Sequence, residues 1–159
     1  MLCVSGQLNP QRGGIGFDFF VQRGGLADYQ AHQTFSPDGW RRMVYARKIR
    51  MQAVDIFGNF DCPDAGQMKP RRTRSITPLQ SLGLMNSPFA NRQAALFADR
   101  LRTEAGRETE AQIRRGIKLA FSREASPDEV GTLSHLAGQH GLEQVCRVLL
   151  NTSEFIFLP

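Results

Sequence analysis

The sequence predicts an α+β protein that is mainly α, with a C-terminal bundle of four to five helices and a small two-stranded, loop-rich N-terminal part. Three observations predict it. Helix starts are written at Thr77-Pro78, Ser87-Pro88, Thr109 with Gln112, and Ser126-Pro127 with Glu129, each a side-chain cap, three of them followed by proline at the first helical position. After Pro78 apolar residues recur at steps of three and four, the spacing of one helical face. Before Arg71, glycine, aromatic and β-branched residues alternate with turn signals and show no such period. The boundary between the loop and strand part, 1–76, and the helical part, 77–159, falls inside RRTRSITPLQSLGLMN.

In chain order, Met1 to Ser5 reads as the last turn of a helix stopped by Gly6. It has no cap or preceding turn of its own, so the chain is expected to be a C-terminal fragment of a larger domain. Asn9-Pro10 and Gly13, Gly14 and Gly16 make a connector without the G-x-G-x-x-G pattern of a nucleotide loop. Residues 15–21, IGFDFFV, fit a short strand. The stretch WRRMVYARKIRM from Trp40 fits either period; a strand paired antiparallel with 15–21 is the favoured reading. Residues 51–57 suit one helical turn, and 59–70 a loop.

Helices follow from Pro78, over Pro88 to Ala105, Glu110 to Phe121, Pro127 to His140 and Leu142 to Leu150. Their expected buried faces carry Ala90, Ala94, Phe97 and Leu101; Ile113, Ile117 and Phe121; Val130, Leu133 and Leu136; and Val145, Cys146 and Leu149. Short connections make them antiparallel neighbours, and the apolar tail from Phe155 to Leu158 should dock on them.

Composition is that of an ordinary globular domain, with no apolar run near the roughly 20 residues of a membrane span. Met1 to Gly6 is too short and uncharged to read as a signal peptide. The net charge of +5 comes from residues 1–76, which hold 11 basic and 6 acidic side chains against 9 of each afterwards. Seventeen of the 20 basic residues are arginine, whose planar fork suits carboxylate and phosphate. Cys3, Cys62 and Cys146 form no C-x-x-C and no haem attachment site, so no metal and no cofactor is expected, and any disulfide among them stays open. Cys146 reads as a small buried hydrophobe. His135 and His140, five apart, fall on different helix faces and not in an H-E-x-x-H pair.

The candidate site is Arg71, Arg72 and Arg74 ahead of Thr77, where guanidinium groups join the positive end of a helix dipole to suit an anion. The bland alternative pairs these arginines with Asp61 and Asp64 across the loop. The same aspartates are the candidates for acid/base chemistry; Asp55, Asp61 and Asp64 do not match a calcium loop. The basic run Arg41, Arg42, Arg47, Lys48 and Arg50 beside Trp40 and Tyr45 invites nucleic acid, but without a nucleic-acid fold signature it reads better as a charged strand edge.

Several separated motifs stand in one order: VSGQLNP, FDCPD, RRTRSITPLQSLGLMNSPFANRQAALFADRL and CRVLLNTSEF. In these the chain resembles the C-terminal part of the planctomycete-type family called domain of unknown function 1553. The resemblance implies a region of a large exported, periplasmic or cell-surface protein, often accompanied by cytochrome-c-like segments that this chain lacks. It implies no reaction, ligand or catalytic residue. The expected function is a structural or interaction region, contacting anionic partners such as an anionic polymer through the arginine-rich loop. Its other expected partner is the remainder of the same protein or a second chain. The alternative is part of a hydrolytic enzyme, using Asp61 or Asp64, whose active site is completed by segments N-terminal to this one.

Overall fold

The computed structural model describes residues 1–18, 20–24, 28–31, 37–47, 60, 75 and 77–157. Among these the protein is mainly helical, with six α-helices: α1 (Pro78–Asn86), α2 (Pro88–Ala105), α3 (Thr109–Phe121), α4 (Pro127–His140), α5 (Leu142–Leu150) and α6 (Ser153–Ile156). The chain divides into two compact units that do not follow chain order. One comprises Met1–Gln7 and Ala90–Pro159, the other Leu8–Phe89.

The helical unit is held by one apolar core. Phe97, Ala98 and Leu101 of α2, Ile113 of α3, and Val145 and Cys146 of α5 have essentially no exposed surface, and Val130 of α4 joins them. Leu133, Leu136 and Ala137 of α4 and Phe155 of α6 pack against that core while partly exposed. The steps of three and four in each segment place these residues on one face, and burying that face drives the helices together. Gly116, buried in α3, lets its neighbours close in, because a Cβ there would lie 3.2 Å from Leu101 and 3.4 Å from Leu149. Burial raises the Cys146 thiol to about 12, in keeping with its reading as a core hydrophobe.

Residues 1–7 belong to this unit for reasons that can be traced atom by atom. Ser5 N–H donates to Met1 O (2.9 Å), Gly6 N–H to Cys3 O (3.2 Å) and Gln7 N–H to Leu2 O (2.8 Å), with Gly6 at φ +76°. That pairing is the Schellman termination of a helical turn, and its left-handed residue is glycine for lack of a Cβ. Arg100 of α2 then donates to the carbonyls of Cys3 (3.1 Å) and Val4 (2.8 Å). The buried Ser5 hydroxyl donates to Gln93 Oε1 (2.5 Å).

Of the expected caps, Thr77 stands at the N-cap position of α1 without a side-chain cap bond, the one at α4 forms and the one at α3 does not. At α4 the Ser126 Oγ accepts from Glu129 N–H (3.3 Å) and Glu129 accepts from Ser126 N–H (2.8 Å), the reciprocal box. At α3 the expected cap from Thr109 does not form. The helix begins at Thr109 itself with Glu108 as cap residue, and Gln112 donates instead to Gly106 O, tying in the preceding turn.

The second unit corrects the predicted strands. Among the described residues the antiparallel pairing expected between 15–21 and the segment from Trp40 does not form: residues 43–45 are a 3-10 turn, and the strand-like pairing of 15–18 with that segment is a parallel bridge, Phe17 to Ala46. The strands in this region are β1 (Phe20–Gly24) and β2 (Asp28–Ala31), antiparallel with Phe20 opposite Ala31. The physical reason lies in Arg41. A strand from Trp40 would present Arg41 at an edge, but its side chain is buried and occupied by backbone carbonyls, as described below, which commits this segment to a turn. The turn expected over 51–57 and the loop over 59–70, apart from Phe60, lie outside the described residues.

Candidate anion-binding region

Around the predicted site, the described residues begin at Ser75 and Thr77. Arg71, Arg72, Arg74, Asp61 and Asp64 lie outside them. Thr77 is half-buried and extended, at φ −128° and ψ 148°, and Pro78 opens α1 behind it. The organising side chain is Gln80, which is 2% exposed. Its Oε1 accepts from Thr77 N–H (3.2 Å), and its Nε2 donates to Ser75 O (2.9 Å) and Ser75 Oγ (3.3 Å). A buried amide with both ends occupied fixes the entry path of the chain into the helix.

Other arginines have roles that sequence reasoning missed. Arg41 is buried, yet among the described residues none of its bonds runs to a carboxylate. Its Nη1 donates to Ile15 O (2.9 Å) and its Nη2 to Gln11 O (3.2 Å) and Gly13 O (2.6 Å). The guanidinium lies 4.2 Å from the Tyr45 ring centroid, an electrostatic attraction to the π face. Carbonyl dipoles and an aromatic face thus stand in for a counter-ion. The Tyr45 hydroxyl accepts from Gly13 N–H (3.0 Å), and a Cβ at Gly16 would lie 2.5 Å from Tyr45 O. Loop 11–16 is therefore moulded onto the turn at 43–45. Arg47, grouped with Arg41 in sequence, is an exposed partner of Asp18 at 2.9 Å.

Arg123 follows Ser122, whose left-handed conformation (φ 60°) turns the chain at the end of α3. Its fork donates to both carboxylate oxygens of Glu129 (2.9 and 2.6 Å) and of Glu154 (2.7 and 2.9 Å). This bidentate geometry joins the start of α4 to α6. Hydrogen bonds from Arg123, with Ser126 N–H second, lower the Glu129 carboxyl to about 2, and Arg123 likewise lowers Glu154. Because the folded value lies below the ordinary 4.5, the stability contributed by Glu129 is present above about 4.5 and is lost as pH falls toward 2. Thermal melts across that window should show the wild type losing its advantage over Glu129→Gln as the pH drops. A constant difference from pH 7 to pH 3 would remove this role. Arg100 of α2 and Arg115 of α3 share Glu104 at 2.6 and 2.7 Å and lower its carboxyl, Arg100 contributing most.

Among the described residues no group of three or more His, Cys, Asp or Glu side chains is placed to hold a metal, and no helix is long and apolar enough to cross a membrane. Cys3 is an exposed free thiol and Cys146 a buried one; Cys62 lies outside the described residues. What the geometry defines is a helical scaffold whose arginines bind backbone carbonyls and carboxylates. The family model described as PSD1, protein of unknown function (DUF1553), matches residues 1–137, so the chain belongs to that family. No curated protein and no solved structure matches it.

Proposed function

We propose that this chain is a structural and interaction region of a larger exported protein, and that Arg71, Arg72 and Arg74, with Thr77 at the head of α1, contact an anionic polymer. The observation that carries this reading is the anchored start of α1. Gln80 holds Ser75 and Thr77 against the first turn, and the arginine run comes just before this turn in sequence, a pattern in which an anion gains from guanidinium groups and from the positive end of the helix dipole. The pattern of bonding elsewhere supports a scaffold: Arg41, Arg100 and Arg123 are engaged within the protein, and Arg71, Arg72 and Arg74 come just before the N-terminus of α1 in sequence, an end that favours negative charge. Export is carried by the family resemblance of the motifs.

The test is retention of the whole chain on a sulfated polysaccharide matrix. The Arg71→Gln/Arg72→Gln double variant should elute at lower salt than a control, Arg92→Gln/Arg107→Gln, that removes the same charge from exposed positions, while circular dichroism stays unchanged. Co-elution of the two variants would end the proposal.

A further inference from the structure

We infer that loop 11–16 and the turn at 43–45 form a site for shallow insertion into an anionic lipid bilayer surface. Two large aliphatic side chains here are almost bare: Ile15 is 94% exposed and Val44 81%. Met43 is half exposed. Single exposed apolar residues are ordinary on a protein surface, but Ile15 and Val44 each immediately precede one partner of the same backbone contact, Gly16 against Tyr45 O. Such high exposure means that almost no neighbouring protein surface surrounds either side chain. Projecting tips without a rim suit a fluid apolar phase better than the flat or concave complement of a protein partner.

Charge points the same way. Arg12 and Arg42 flank the two tips in sequence and are exposed, and neither forms an ion pair among the described residues. Asp18 is already engaged by Arg47, leaving Asp38, exposed on the turn Pro37–Gly39, as the opposing charge nearby in sequence. Basic side chains beside apolar tips are the arrangement that an anionic leaflet attracts.

The backbone of the loop is also prepared for a drier environment. The carbonyls of Gln11, Gly13 and Ile15 are bonded by Arg41, and Gly13 N–H by the Tyr45 hydroxyl. Peptide groups satisfied inside the protein avoid much of the desolvation cost that an open loop meets at an interface.

The experiment is co-sedimentation of the full chain with vesicles of phosphatidylglycerol and phosphatidylcholine in equal parts, and with phosphatidylcholine alone. Wild type should sediment with the anionic vesicles and not with the neutral ones. Ile15→Ser/Val44→Ser should lower binding by about tenfold or more, with circular dichroism unchanged because both side chains are exposed. Arg12→Gln/Arg42→Gln should lower it by on the order of tenfold and flatten its salt dependence. Wild type failing to sediment, or binding unchanged in both double variants, would overturn the inference. So would an acidic, leucine-rich peptide that binds through Ile15 and Val44 while vesicles do not, which would make the surface a protein-docking site. Loss confined to Arg71→Gln/Arg72→Gln would assign the lipid to the arginine-rich loop and sink this inference while leaving the anion reading intact.

Discussion

Phe97→Ala should cost the helical unit about 3–5 kcal/mol, the range for emptying a fully buried aromatic site. Phe97 has no exposed surface and sits among Ala94, Ala98, Leu101, Ile113 and Ile117 in the core cluster. Removing the ring takes away its transfer free energy and leaves a void that backbone atoms of packed helices fill only in part. In urea, with a slope of roughly 2 kcal/mol per molar, the midpoint should fall by about 2 M. Phe97→Leu, which keeps most of the volume, should lose much less. If Phe97→Ala and Phe97→Leu lowered the midpoint equally, packing at this position would not be what holds the helices together.

Arg41→Met is expected to unlatch loop 11–16 without unfolding the helical unit, whose core lies in other residues. The exchange keeps much of the apolar stem but leaves the carbonyls of Gln11, Gly13 and Ile15 without their donor. Each unsatisfied, desolvated carbonyl costs about 1–3 kcal/mol until water reaches it, so opening the loop becomes the cheaper state. Cleavage after Arg12 under limited proteolysis should accelerate by on the order of a hundredfold for a loss of about 3 kcal/mol in local stability. Arg41→Lys should fall between, because a single ammonium cannot reproduce the planar fork that reaches three acceptors. Unaltered cleavage in Arg41→Met would mean that the carbonyl bonds do not hold the loop closed.

The two variants fall on opposite sides of what can be read from a linear chain. Phe97 is legible, because its spacing with Ala94 and Leu101 marks a helical stripe, and the buried residues of α3 and α5 follow the same rule. The cap at Ser126 is legible too, since its partner Glu129 is three residues away. Arg41 is not. Beside Arg42, Arg47 and two aromatics it reads as an edge charge, and only the position of a loop 26 to 30 residues earlier turns it into a buried clamp. Arg100 is hidden in the same way, its acceptors Cys3 and Val4 lying 97 and 96 residues away. The pair joining Arg123 to Glu154 spans 31 residues. The failed cap at Thr109 is subtler: Gln112 had two acceptable local partners, and the turn at Gly106 took it.

Of the candidate site, Thr77 is where its capping grammar places it, at the head of α1. The part played by Gln80 was readable in half, as the reciprocal member of the box; its grip on Ser75 was not. Arg71, Arg72, Arg74, Asp61 and Asp64 enter as proposals from their residue types and their place before a helix.

By itself the sequence determined the mainly helical character of this protein, the register of its core faces and most helix starts, because these follow from interactions within a few residues of the chain. Only the tertiary structure decided that Met1–Gln7 belongs with the helices of the second half, that the segment from Trp40 turns instead of pairing, and which arginines are spent on internal carbonyls. Those outcomes depend on acceptors brought together across dozens of residues, where the energy of a bond is set by geometry that no local pattern encodes.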